Sequence, residues 1–283
     1  VLGVEEREQL GDVRLRHRED HALLRLADPD LPRLQAGVLE RHLLEVDLGA
    51  ALKATSPAFP PGATLDEATH HYAVRLAAVD RAHRHLVALT ERLLHPTLPE
   101  YAALRERLDA LRDDYTRWCD DLARAFSAVC QAGGFLPARE LQQRTLFELV
   151  VEPLTKEPGP IALFTVDALR YEMAEELAAE LRAHHPDAAI DLRPRLAELP
   201  TVTEVGMNAL APVARDGRLR PVLQKNNRFS GLHSGEFQVL NPETRRRAME
   251  ARVRGSRCQL ITLQQASELT PKKLKDKIKG AGL

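Results

Sequence analysis

The sequence predicts an α/β protein in which an α-helical amino-terminal region, containing a long αα-hairpin, precedes a mostly parallel sheet. Three observations lead there. Two apolar stripes at helical spacing flank a proline-rich break, His95-Pro96-Thr97-Leu98-Pro99. A short apolar run, Ile161 to Val166, ends at an aspartate and passes at once into another helical pattern. Aromatic residues are only 4% of the chain, so the core is built mainly from Leu, Ala and Val, which favours helices.

Residues 1 to 62 read as short helices, such as Leu39 to Ala54, closed by the break Ser56-Pro57-Ala58-Phe59-Pro60-Pro61-Gly62. Residues 63 to 137 form the hairpin. Its first helix carries Leu65, Tyr72, Leu76, Val79, Leu86, Leu89 and Leu93 on one face. The second carries Leu104, Leu108, Leu111, Tyr115, Trp118, Leu122, Phe126 and Val129, and Gly133-Gly134 stops it. Two such helices joined by a short proline turn are most simply antiparallel.

Composition changes after Leu149, and residues 138 to 283 read as a separate region. A helix from Ala138 to Val151 runs into Pro153, Pro158 and Pro160. The run Ile161-Ala162-Leu163-Phe164-Thr165-Val166 has the character of a buried parallel strand. Ala168 to His185 is expected to be a helix with Leu169, Met173, Leu177 and Leu181 on its inner face, and Ala188 to Leu192 a second strand. Leu199-Pro200-Thr201-Val202-Thr203 is then a loop before a short helix through Ala211. A strand, a helix and a second strand make a right-handed β-α-β unit.

Hydrophobic residues are 44% and charged residues 29%, the balance of a folded globular protein rather than a disordered one. Cys119, Cys130 and Cys258 are odd in number and far apart, so neither a disulfide framework nor a zinc ribbon is expected. No long apolar run or leader pattern is present, which points to a cytoplasmic protein with no membrane association. The net charge of -1 conceals an asymmetry: residues 241 to 283 hold 11 Lys/Arg against four Asp/Glu, and the other 240 hold 29 against 37. Arg245-Arg246-Arg247, Arg252, Arg254, Arg257 and the lysines of Pro271 to Lys279 form either a DNA-attracting surface or a solvated helix face. No aromatic follows Phe237 to stack on bases. The adjacent pairs His70-His71 and His184-His185 point to different faces and do not chelate one metal together.

In open parallel sheets the carboxyl ends of the strands line the ligand crevice. Asp167 stands at such an end, where it either caps the following helix or gathers a metal or phosphate. Thr201 and Thr203 occupy the next such loop, and Thr203 reads either as an N-cap or as a nucleophile whose hydroxyl a metal ion helps to ionise.

Thr165-Val166-Asp167-Ala168-Leu169-Arg170-Tyr171-Glu172 is followed after some thirty residues by Leu199-Pro200-Thr201-Val202-Thr203-Glu204-Val205-Gly206-Met207-Asn208-Ala209-Leu210-Ala211-Pro212. These two motifs and their spacing resemble the PglZ domain of the alkaline phosphatase superfamily, and the helical hairpin ahead of them resembles PglZ proteins of bacterial phage-exclusion (BREX) defence. The resemblance covers residues 138 to 283. It implies an alkaline-phosphatase-like sheet, a divalent metal, usually zinc with manganese or magnesium as alternatives, and a Thr or Ser that attacks phosphorus. Carried across, Asp167 is a metal ligand, and Thr203 is both the nucleophile and a metal contact. Thr203 is preferred over Thr201 because related phosphodiesterases show Pro-Thr-x-Thr with the second threonine reactive. The N-terminus of the short helix would help to hold phosphoryl oxygens. Arg170 is either a phosphate contact or a partner of Glu172.

The implied function is a metal-dependent phosphatase or phosphodiesterase of an anti-phage system, with a phosphate ester or oligonucleotide as substrate and other defence subunits as partners. The alternatives are a non-catalytic scaffold in the defence complex and a nucleic-acid-binding module using the basic tail. Family members carry further ligands in a tyrosine-histidine and isoleucine-aspartate strand and in an aspartate-histidine-glycine turn. No such segment follows Thr203 here, and His233 stands alone in a Gly/Ser-rich loop. As given, the chain does not close a two-metal site. With Val1 rather than Met at its start, it is expected to be a fragment of a longer protein, the other reading being a shortened member without hydrolytic activity.

Overall fold

A computed structural model describes residues 47–55, 59–93, 101–159, 161–212, 219–233, 237–253 and 258–279. The predicted short helices before residue 47 and the proline turn at 95–99 lie outside them. The described residues are mostly helical, with one small sheet. They fall into two compact units: residues up to Thr55 with Ala78–Asp121, and Phe59–Ala77 with the residues from Leu122 onward.

The first unit contains a helical stretch at 47–54, most of α2 (Ala77–Leu93) and the first part of α3 (Tyr101–Gly133). Val79, Leu86, Leu89, Leu104, Leu108 and Trp118 of the predicted stripes are buried. Apolar burial at about 25 cal/mol per Å² drives this packing, and polar pins fix its register. The Tyr115 hydroxyl donates to Asp80 Oδ1 at 2.7 Å, and the His83 ring stacks on Tyr115 with centroids 3.6 Å apart. These contacts of Asp80 and His83 with Tyr115 join α2 to the first part of α3 within this unit. Burial, reinforced by the bond to Asp80, pushes the Tyr115 phenol well above its usual range. Trp118 Nε1 donates to Thr55 Oγ1 at 2.9 Å, so the buried indole has its partner.

In the second unit α1 (Leu65–His71) starts from a capping box between Thr64 and Glu67. It runs through a π-helical turn, Tyr72–Leu76, towards α2. At the end of α3, Gly134 takes φ +88° and its N–H bonds Cys130 O at 2.7 Å, a left-handed stop that glycine adopts without a Cβ penalty.

The helix expected at Ala138 to Val151 is broken into 3-10 turns, Arg139–Leu141 and Gln143–Thr145, and a π turn, Phe147–Val151. The cause is tertiary. Gln142 adopts a β conformation and forms a parallel bridge with Leu196: Leu196 N bonds Leu141 O at 2.7 Å, and Gln143 N bonds Leu196 O at 3.2 Å.

The parallel sheet expected from 161–166 and 188–192 is also absent among the described residues. Neither run has a ladder partner, and Phe164 and Val166 are exposed. A buried parallel strand requires neighbours in the sheet and cover on both faces. Here only Leu163 packs onto a core cluster, that of Phe147, Val151, Met249, Val253 and Cys258. The next helix, α4 (Tyr171–His184), begins three residues later than expected, because Ala168 turns left-handed at φ +55° and Arg170 is the N-cap. Leu169, Leu177 and Leu181 of its predicted inner face are exposed, while Glu172 and Ala178 are buried.

The short helix α5 (Thr203–Ala209) lies where it was predicted. The sheet that forms is antiparallel: β1 (Arg220–Leu223), β2 (Phe229–His233) and β3 (Gln238–Val239) pair in that order. Gly231 is required in β2, since it has φ +134° and a Cβ there would lie 2.3 Å from Val239 O. α5 packs on β2, and α6 (Pro242–Arg252) packs on β3 through Ala248 and Val239. α6 is capped by Asn241 and Thr244, with Pro242 in the first turn. α7 (Leu263–Ser267) and α8 (Pro271–Ile278) follow, started by Thr262 and Thr270.

All three cysteines are free. Burial, with Glu250 adding to it, pushes the Cys258 thiol up to about 11, so it behaves as a small apolar group at neutral pH. Among the described residues no helix is long and apolar enough to cross a membrane.

Candidate functional site

Asp167 and Thr203 meet, although 36 residues separate them: the Thr203 hydroxyl donates to Asp167 Oδ2 at 2.9 Å. Neither side chain acts as a helix cap. Val202 is the N-cap of α5, which makes Thr203 its first helical residue, and its hydroxyl turns outward to the carboxylate. Asp167 precedes α4 by four residues, and its Oδ1 instead accepts Ala168 N–H at 3.1 Å across the left-handed turn. Both residues are exposed, so the pair is open to an incoming ligand.

Each half of the pair is built on a fixed base. α5 is anchored by Val205, Asn208 and Ala209, all buried. Asn208 Nδ2 donates to Glu204 O at 2.7 Å, and Arg245 Nη1 donates to Asn208 Oδ1 at 3.1 Å. From the other side Gln143 Nε2 donates to Gly206 O at 3.1 Å. The side chain of Thr203 therefore sits on a helix tied to both α6 and the 143–145 turn.

Arg170 pairs with Glu172: Nη2 lies 2.8 Å from Oε1, the glutamate is fully buried and the arginine is half-exposed. The buried carboxylate thus holds the guanidinium at the surface, close in sequence to Asp167. Glu172 is the site feature least visible in the sequence, because it interrupts the Leu169, Met173, Leu177 face that periodicity marks as buried. The only signal for it is its adjacency to the Asp167 to Arg170 motif. Thr201 does not join Asp167; it lines a neighbouring cleft. His233 ends β2, and His184 bonds the Glu180 carbonyl on α4 at 2.9 Å, so neither approaches a ligand cluster.

The basic segment divides in two. On α6, Arg245 serves Asn208, Arg246 pairs with Glu243 and Glu250, Arg247 pairs with Glu243, and Arg252 pairs with Glu148 and Glu152. These arginines hold the fold together. The bonds from Arg246 and then Arg247 depress the Glu243 carboxyl to about 2. Arg254 and Arg257 lie outside the described residues. Lys272, Lys273, Lys275 and Lys277 on α8 are exposed, with no ion pair among the described residues.

A divalent cation tests the donor set further. Asp167 and Thr203 offer two adjacent hard oxygen donors, which suit zinc, manganese or magnesium. Among the described residues no group of three or more His, Cys, Asp or Glu side chains is placed to hold a metal ion. The pair therefore fits one edge of a coordination sphere without completing it.

Residues 146–278, which include both halves of this pair, match the family model of the BREX system PglZ alkaline phosphatase-like domain. The alkaline phosphatase-like protein BrxZ of Escherichia coli O9:H4 (strain HS) is 33% identical over 117 residues, covering 39% of this chain. The match spans only 13% of the length of that relative. No solved structure matches the chain. It is residues 146–278, a little under half of the chain, that carry the likeness to the PglZ family of alkaline phosphatase-like domains.

Proposed function

We propose that Asp167 and Thr203 are the core of a metal-dependent phosphate-ester hydrolase, a phosphatase or phosphodiesterase working with other subunits of a phage-defence system. The observation that carries this reading is the 2.9 Å hydrogen bond between the two side chains, formed at an exposed surface by residues from two separate motifs. Thr203 is the nucleophile. Its Oγ forms a bond to phosphorus as the ester P–O bond breaks, the leaving alkoxide takes up a proton, and water then hydrolyses the phosphothreonine. Asp167 orients the hydroxyl by accepting its hydrogen bond, so that an oxygen lone pair faces the approaching phosphorus, and it receives the proton as the Oγ–phosphorus bond forms.

A threonine hydroxyl is too weak an acid for a carboxylate alone to ionise at neutral pH. Asp167 and Thr203 would hold one edge of a divalent ion, zinc or alternatively manganese or magnesium, and such an ion would supply the missing acidity. Arg170, steadied by Glu172, presents its remaining N–H groups to a phosphoryl oxygen.

In this reading residues 138–283 are the amino-terminal part of the phosphatase-like domain, behind the short helices of 1–62 and the hairpin of 63–137. Residues 161–166, which have no ladder partner among the described residues, are in this reading a segment that its parallel sheet would take up. Half-buried Ile161 and Leu163 alternate with exposed Ala162 and Phe164, the period of a strand covered on one face.

The test is turnover of a phosphodiester by the natural full-length protein with zinc or manganese. Thr203→Ala and Asp167→Ala each lower kcat roughly a thousandfold or more. Unchanged turnover in both variants overturns the assignment.

A further inference from the structure

A cleft of about 290 Å³ opens on the loop that leads into Thr203, lined in part by Phe126, Phe135, Leu136, Leu199 and Thr201. The volume is at the small end for a ligand pocket, room for one compact group and not for an oligomer. Its mouth is apolar to an unusual degree: Phe135 is 67%, Leu136 57% and Leu199 63% exposed. Large apolar side chains left in water beside a cleft are consistent with a surface that a binding partner or ligand covers.

The wall is rigid. Arg144 and Glu198, both mostly buried, form a bidentate pair at 2.6 and 2.5 Å. Glu198 N–H donates to Gln143 Oε1 at 3.0 Å, and Leu196 is bonded to the backbone of residues 141 and 143. Because Glu198 already neutralises Arg144, the cleft presents no net positive charge to draw in a second phosphate. An uncharged, flat group fits it better. Two phenyl rings line it, and Thr201 contributes a hydroxyl that makes no hydrogen bond among the described residues.

Thr201 is two residues from Thr203, so the chain places their Cα atoms within about 7 Å. The cleft thus opens beside the segment that carries the Thr203 hydroxyl.

We propose that this cleft is the leaving-group pocket, and that it takes an uncharged planar heterocycle of the nucleobase class, stacked on phenyl rings with its polar edge at Thr201. The proposal deepens the hydrolase reading and rests on it for the identity of the reacting group.

The test is calorimetric binding to this chain, with adenosine as probe and ribose 5-phosphate as the control that lacks a base. Adenosine binds, and Thr203→Ala leaves its affinity unchanged. Phe135→Ala and Leu136→Ala, at exposed side chains that the fold does not need, each weaken it at least fivefold and leave ribose 5-phosphate unaffected. No adenosine binding, or binding indifferent to both cleft variants, overturns the pocket. If adenosine binds as described and the full-length protein shows no turnover, the hydrolase reading and the leaving-group role fall, and the cleft stands as a nucleobase site alone. If a nucleotide ester is turned over with a KM that Phe135→Ala does not change, the pocket falls and the hydrolase reading stands.

Discussion

Ala168 takes φ +55° directly after Asp167, a conformation that costs an L-residue roughly 1–2 kcal/mol. The cost is borne at the point where the chain must turn so that Asp167 faces Thr203 and α4 starts only at Tyr171. Ala168→Gly removes the Cβ and is expected to raise stability by up to about 1 kcal/mol, whereas Ala168→Val lowers it by about the same or more. Urea unfolding of the two variants checks both signs. At this scale the sequence was informative about identity and silent about geometry. Asp167 and Thr203 stand out in their motifs, yet by position capping is an equal reading for Asp167 and the favoured one for Thr203, until the hydrogen bond between them gives both side chains another partner. Alanine carries no sign of a left-handed turn, so the late start of α4 was not legible. Nor was the burial of Glu172 beneath Arg170.

Among the elements, α6 shows how charged side chains replace apolar ones in holding the second unit together. Met249 and Val253 pack with Phe147, Val151 and Cys258. Beside them Arg252, 8% exposed, lies 3.4 Å from Glu148 and 3.7 Å from Glu152, with its guanidinium 5.8 Å from the Phe237 ring centre. Burial raises the Glu148 carboxyl, and Arg252 opposes that shift. Arg252→Ala is expected to cost about 3 kcal/mol at pH 7, because it strands a buried carboxylate. A carboxyl raised in the folded state favours folding most when protonated, and that contribution is lost as pH rises through the folded value. The cost of Arg252→Ala should therefore shrink between pH 7 and pH 4.5 in urea unfolding, and a cost that grows on acidification would contradict the pairing. The apolar stripes of α2 and α3 were readable because their periodicity is local to each helix. The broken helix at 138–151 and the unpaired run at 161–166 were not, since each depends on a distant segment: the bridge from Gln142 to Leu196 in one case, and sheet neighbours in the other.

For the molecule as a whole, the PglZ match covers residues 146–278, so the family likeness and the candidate pair rest on the same stretch of chain. The charge asymmetry seen in the sequence resolves into two uses: α6 arginines bound into the fold, and α8 lysines facing solvent. A hydrolase built this way passes through one covalent state that neither a scaffold nor a nucleic-acid-binding module forms. The most direct test is acid quenching of the full-length protein during turnover of a phosphate ester with zinc or manganese, followed by peptide mass spectrometry. The account predicts a phosphoryl group on Thr203, lost in Thr203→Ala and strongly reduced in Asp167→Ala. Turnover with no adduct at Thr203, or an adduct on another residue, would contradict it.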